Sequence, residues 1–331
     1  MSTRPDAISD PALPAARRPD AIKAIPVRHP WRWVVAVVVL AAGAAVVYTF
    51  ATAPRLQWSV VGQFLFYPEI LHGLLVTLEL TAIAMLIGVI FGVILAVMRL
   101  SVNPVVSSVS WFYIWFFRGT PVLVQIFFWF NIGSILPQLH IGIPFTSLVW
   151  VGTTNNIITP FLAAILGLGL NEAAYMSEIV RAGIISVDTG QTEAAQALGM
   201  TRVLVMRRIV LPQAMRVIIP PTGNETISML KTSSLAYIAT VSELFFIQKE
   251  ISNFNYDIIE LAIVASIWYL AMTSVLTFGQ YYVERYFARG ASRQLPPTPL
   301  QRFRRVLFHF HEPPPPAGPF EPPPIYPHHL Q

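Results

Sequence analysis

The chain has 331 residues, of which 54% are hydrophobic and 12% charged, where soluble domains carry about 25% charged residues. That balance excludes a soluble globular protein and predicts an all-α integral membrane one. Cysteine is absent, which removes disulfides and thiolate metal sites. The net charge of +5 comes mainly from arginines that flank apolar spans without forming a continuous patch, so topology accounts for it and no nucleic-acid partner is expected.

Residues 1–30 are rich in Pro, Ala and Arg, have no apolar period, and read as a disordered cytoplasmic tail. Trp31, Arg32 and Trp33 form an interfacial anchor for a first span over 31–52, long enough to cross ~30 Å of hydrocarbon. Basic residues from Arg4 to Arg32 place the N-terminus inside. After an outer loop over 53–69, a second span from Leu71 to Leu100 carries Gly73, Gly88 and Gly92, which permit close helix packing. The aromatic-rich stretch Pro104–Phe117 suggests an interfacial elbow helix. Thr120 can cap a third span, Pro121 to Leu136, with Pro121 at its first position. Pro137–Asn156 is an outer loop that touches no assigned function.

The fourth span, Thr159 to Ser186, carries Asn171, Glu172, Tyr175, Glu178 and Arg181. Two short helices fit the arginine-rich stretch Gln191–Pro212. Asp188 caps the first with Gln191 completing a capping box, Gly199 ends it, and the second runs from Thr201 to before Pro212. The fifth span, Val217 to Leu235, is kinked by Pro220-Pro221. Tyr237–Ser252 is amphipathic and expected at the outer surface. The sixth span, Ile258 to Tyr282, is followed by Glu284, Arg285 and Arg289, and residues 290–331 form a Pro-rich cytoplasmic tail. Six spans with both termini cytoplasmic result, in a multi-pass protein of the plasma membrane.

Three stretches carry a family resemblance. Glu193-Ala194-Ala195, then Gly199, then Ile209-x-Leu211-Pro212 resembles the coupling (EAA) loop of permease subunits of ABC importers. FFRGTPVLVQIFF around Arg118 and Gln125 resembles the polar amino-acid branch. So do the pattern through Leu170, Asn171, Ala173, Ala174, Tyr175, Glu178, Ile179 and Arg181, and the stretch PPTGNETISMLKTSSLA. The resemblance covers about residues 70–289. It implies a type I importer permease fold whose loop, 188–212, docks on a separate ATP-binding cassette subunit that binds ATP and Mg. It also implies a second permease subunit, the same or homologous, and an extracytoplasmic binding protein that delivers the amino acid. The family commonly has five spans with the N-terminus outside; segment 31–52 departs from that pattern by one crossing.

Ionisable groups within spans are expensive, by about 2.5–3.5 kcal/mol each on insertion scales. Asn171, Glu172 and Tyr175 on one span, and Asn224, Ser228 and Lys231 on the next, form two polar stripes and suggest a wet substrate pathway. Glu172 can meet a substrate ammonium and Lys231, Asn224 or Ser228 its carboxylate; the alternative is a plain Glu172–Lys231 ion pair. Arg118, Glu178 and Arg181 read as structural or gating residues. No catalytic constellation is present. Lys23, Lys231 and Lys249 are the lysines, and none follows a glycine as a Walker A loop requires, so no cofactor is expected on this chain. The tail histidines His309, His311, His328 and His329 are not expected to hold a metal. A self-contained secondary transporter or channel explains the intramembrane charges but not the 188–212 loop. A membrane-anchored scaffold draws only on the tails. Uptake assays separate these readings.

Overall fold

The computed structural model describes residues 30–142 and 149–287. The tails expected before Pro30 and over 290–331, and the tip of the outer loop, lie outside the described residues. The chain divides after Leu56 into two compact units. The first contains α1 (Pro30–Ala51), whose segment Trp33–Ala51 has a mean hydropathy of 2.5.

The second unit begins with α2 (Trp58–Leu65) and α3 (Pro68–Arg99), followed by α4 (Pro104–Gly119) and α5 (Val122–Asn131). A hairpin of β1 (Gln138–Gly142) and β2 (Val149–Thr153), with Gln138 opposite Thr153, leads into the short α6 (Thr154–Ile157). Then come α7 (Pro160–Ile185), α8 (Thr189–Ala197), α9 (Arg202–Val205), α10 (Leu211–Thr232), α11 (Leu244–Asn255) and α12 (Ile258–Phe287). Length and hydropathy alone qualify α1, α3 and α12 as membrane spans. At 26 and 22 residues, α7 and α10 are long enough but polar on one side. The architecture is all-α apart from the hairpin, with about six membrane-crossing segments.

α3 and α7 run parallel and pack through glycines. A Cβ on Gly88 would overlap the Glu172 side chain, one on Gly92 would meet Met176, and one on Gly169 would meet Ile87. The main core fills this seam with Leu80, Ala84, Ile126, Leu168, Met176 and Ile218. The packing role expected of Gly88 and Gly92 is therefore met by α7. Gly73 serves a different helix, because its Cβ would lie 3.0 Å from the Leu244 Cα of α11.

The third span differs from expectation. α5 has 10 residues, about 15 Å, too short to cross a bilayer by itself. Pro104–Phe117 is not an interfacial elbow. It is the first half of the same crossing, antiparallel to α3 and α7, with Ser110 Oγ donating to Leu95 O (2.8 Å) and Tyr113 OH to Leu170 O (2.8 Å). Those polar anchors, alternating with exposed Trp111, Phe112, Trp115 and Phe116, give α4 one packed and one apolar outward face. The break between α4 and α5 stands level with Asn171, about 16 Å along α7 from Pro160.

The segment Tyr237–Ser252 is amphipathic as expected, with one face packed into the bundle and Lys249 and Glu250 exposed on the other. α10 passes into a 3₁₀ turn, Ser233–Ala239, and α11 starts inside the bundle with Leu244, Gln248 and Ser252 buried between α3 and α12. Glu243, fully buried, caps it. Its carboxylate accepts from Phe245 N and Phe246 N (both 2.8 Å) and from Tyr269 OH (3.1 Å), while Thr77 Oγ1 accepts from Leu244 N (3.1 Å).

Candidate functional site

The α4–α5 break is built by proline. Pro121 has no N–H, so the Phe117 carbonyl four residues earlier loses its helical donor, and Thr120 is forced out of the helix to φ −109°, ψ 140°. Two side-chain amides replace the missing donor. Asn171 Nδ2 of α7 donates to Phe117 O (2.8 Å). Gln125 Nε2 of α5 faces Phe117 O (3.0 Å), Thr120 O (3.1 Å) and Thr120 Oγ1 (2.8 Å). Arg118 projects from the break with its Cζ 5.1 Å from the Tyr175 ring centroid, a cation–π arrangement.

One turn of α7 away, Glu172 is 4% exposed and wedged against Gly88, and its Oε1 has no hydrogen-bond partner. The charge whose field reaches Glu172 is that of Glu225 on α10, and the charge that reaches Glu225 is that of Arg118. Arg118 and Tyr175 are in contact, Glu172 lies one turn along α7, and Glu225 of α10 is within electrostatic range without an ion pair to either, so three elements bring both charge signs and an unsatisfied buried acceptor to one region.

The sequence-derived stripe on α10 is placed differently. Ser228 and Lys231 are exposed, and no Glu172–Lys231 pair forms among the described residues. Asn224 turns to α12, where its Oδ1 accepts from Gln280 Nε2 (2.8 Å); Gln280 also donates to Glu284 (2.7 Å). Glu225, which the stripe omitted, is the residue that faces α7. Its spacing of seven from Ile218, itself packed on Gly183 of α7, is the signal that finds it. Arg181 and Glu178 form the i,i+3 ion pair expected of them (2.6 Å), near the Ile185 end of α7.

At that same end lies the 188–212 hairpin. Asp188 Oδ1 accepts from Gly190 N (2.7 Å) and caps α8, but Gln191 makes no reciprocal capping bond. Gly199 ends α8 at φ +80°, a left-handed conformation that glycine tolerates, with Met200 N donating to Ala195 O (3.1 Å). Ala195, Val205 and Val210 form a small core with Ile184, Val187 and Ile209. Ala195 thus faces inward, while Glu193, Ala194, Gly199 and Pro212 face out.

The second helix does not stop before Pro212. α9 runs through a π turn, Met206–Val210, directly into α10. Leu211 N bonds to Met206 O across the wider turn, and Gln213 Nε2 donates to Ile209 O (2.9 Å). The π turn accommodates the proline ring that an α turn would meet as a clash. Leu211 and Met206 also line an apolar cavity with Val93, Met176, Val180 and Ile218, between α3, α7 and α10.

Residues 88–289 match the family described as "Binding-protein-dependent transport system inner membrane component". The chain is 46% identical to the arginine transport system permease protein of Corynebacterium glutamicum, over 84% of this chain and 87% of that one. It is 42% identical to the nopaline transport system permease protein of Agrobacterium fabrum, over 64% of this chain and 84% of that one. Among solved structures, an amino acid ABC transporter with histidines is similar at a TM-score of 0.57 and 34% identity, covering 67% of this chain and 95% of that one.

Proposed function

The chain belongs to the family of binding-protein-dependent transport system inner membrane components, as the permease subunit of an ABC amino-acid importer, and we propose that its cargo is a cationic, arginine-like amino acid. The observation that carries the proposal is Glu172: a buried carboxylate with an unpartnered oxygen, beside a second carboxylate, Glu225, midway along the bundle. A buried carboxylate is tolerated when a cation satisfies it, and a substrate guanidinium or ammonium is such a cation. Arg118, held over Tyr175, supplies the complementary donor for the substrate carboxylate. The arginine transport permease of Corynebacterium glutamicum, the relative with 46% identity, supports this class of cargo.

Energy enters at the opposite end. The exposed Glu193 and Ala194 of α8 meet an ATP-binding cassette subunit, which binds the ATP and Mg. Ala195 seats α8 on Val205 and Val210, and the continuous helix from Arg202 to Thr232 carries displacement to Glu225. Arg202, Arg207, Arg208 and Arg216 collect around this hairpin, so we assign it and both termini to the cytoplasm. A second permease subunit completes the pore, and an extracytoplasmic binding protein loads it. Asn171 holds the α4 break beside the path, with Glu178 and Arg181 at its cytoplasmic mouth; membrane lipid surrounds the spans.

The test is uptake by proteoliposomes containing the whole transporter, with labelled arginine and unlabelled competitors. Lysine should compete and glutamate should not, and an inactive partner ATPase should abolish uptake. Equal competition by glutamate removes the cationic-cargo reading, and uptake without hydrolysis removes the ATP-driven one.

A further inference from the structure

We propose that Gln125 is a positioning residue for substrate recognition: its carboxamide fixes the exit of α4 so that Arg118 stands over Tyr175 and meets the substrate carboxylate. The proposal rests on the cationic amino-acid reading above. It follows from the way the break is satisfied. Pro121 strips the Phe117 carbonyl of its donor, and Phe117 is the residue immediately before Arg118. Gln125, four residues beyond Pro121, returns that donor from α5 while also reaching the carbonyl and hydroxyl of Thr120. One amide group therefore ties down the chain on both sides of Arg118-Gly119. Asn171 ties the same Phe117 carbonyl to α7, the helix that carries Tyr175.

The orientation of the amide is dictated by its neighbours. Three oxygens converge on Nε2, and the flipped amide would set Oε1 against all three. Oε1 is left buried without a partner, at a side chain only 6% exposed. A residue needed for packing alone would not carry that penalty, since leucine or methionine fills a similar volume without a buried polar atom. The amide is accounted for by what its other end holds.

The experiment titrates the purified permease–ATPase complex calorimetrically with arginine and with agmatine, which lacks the carboxylate. Wild type should bind arginine about tenfold or more tightly than agmatine, the ordinary worth of a charge-assisted hydrogen bond. Arg118→Gln should bring the ratio close to one. Gln125→Leu should reduce it to within about threefold, and should add nothing further in the Arg118→Gln background, because both act through one guanidinium. If Gln125→Leu weakens both ligands equally and leaves the ratio intact, Gln125 is a packing residue and the proposal is overturned. A ratio unmoved by Arg118→Gln, or no arginine binding by wild type, removes the underlying site reading and the proposal with it. Gln125→Met, closer in shape, carries the same expectation should the leucine variant fail to assemble.

Discussion

Glu172 and Glu243 are both buried glutamates within the same bundle, 4% and 0% exposed, yet their surroundings are opposite. Glu243 spends its carboxylate on two backbone N–H groups and a tyrosine hydroxyl, and so begins α11 where no water can cap it. Glu172 has an oxygen bonded to nothing, a glycine cleared away to admit its side chain, and another carboxylate in range. A buried charge with every acceptor satisfied belongs to the fold. A buried carboxyl group with an acceptor left open costs stability until a ligand satisfies it, which is the property a transport site needs.

The contrast predicts opposite outcomes for the two residues. Glu243→Leu should have the largest effect on folding. It removes a helix cap and strands two amide protons and the Tyr269 hydroxyl, at a cost of about 3 kcal/mol or more. Thermal unfolding of the purified complex reads this loss, and transport per folded molecule should change little. Glu172→Gln should do the reverse, reducing arginine transport about tenfold or more while stability stays within about 1 kcal/mol of wild type, because the amide fills the same space and breaks no hydrogen bond of the ligand-free protein, yet cannot become the anion that a cationic substrate pairs with. If Glu172→Gln unfolds the protein as Glu243→Leu does, the contrast collapses.

Gly88→Ala sharpens the same point at smaller scale. The added methyl overlaps Glu172, so roughly 1–3 kcal/mol of overpacking is expected. Most of it should return when Glu172→Ala is combined with it, since the two changes share one space. A purely additive double variant would show that Gly88 does not make room for this side chain. The smallest effect is expected for Lys231→Gln, within about 0.5 kcal/mol, as for an ordinary exposed position. A larger loss that disappears in the Glu172→Gln background would restore the Glu172–Lys231 pair.

Local signals were legible wherever backbone chemistry decides the outcome. Asp188 caps a helix and Gly199 ends one at positive φ, whereas Thr120 does not cap the third span as expected: its hydroxyl donates back to Phe116 O, and Pro121 stands at the cap position with the helix starting at Val122. Their errors lie in the next step. Pro121 was readable as a helix start, but whether the aromatic stretch before it lies along the membrane surface or crosses depends on Tyr113 and Ser110 finding carbonyls on α7 and α3. Pro212 was readable as a stop, but the π turn before it lets the helix continue. Polar residues on α10 were readable as a stripe, yet Asn224 belongs to α12 and Glu225 to α7, a difference of one residue and about 100° around the axis.

The sequence by itself determined that this protein is a helical membrane protein with a short polar hairpin between two spans, because hydropathy, proline and glycine act over a few residues and need no partner. Only the tertiary structure decided which ionisable side chains share one region of the bundle. Arg118, Glu172 and Glu225 come from α4, α7 and α10, and it is helix rotation, set by glycine seams and two amide clamps, that turns them toward one another while Lys231 turns away.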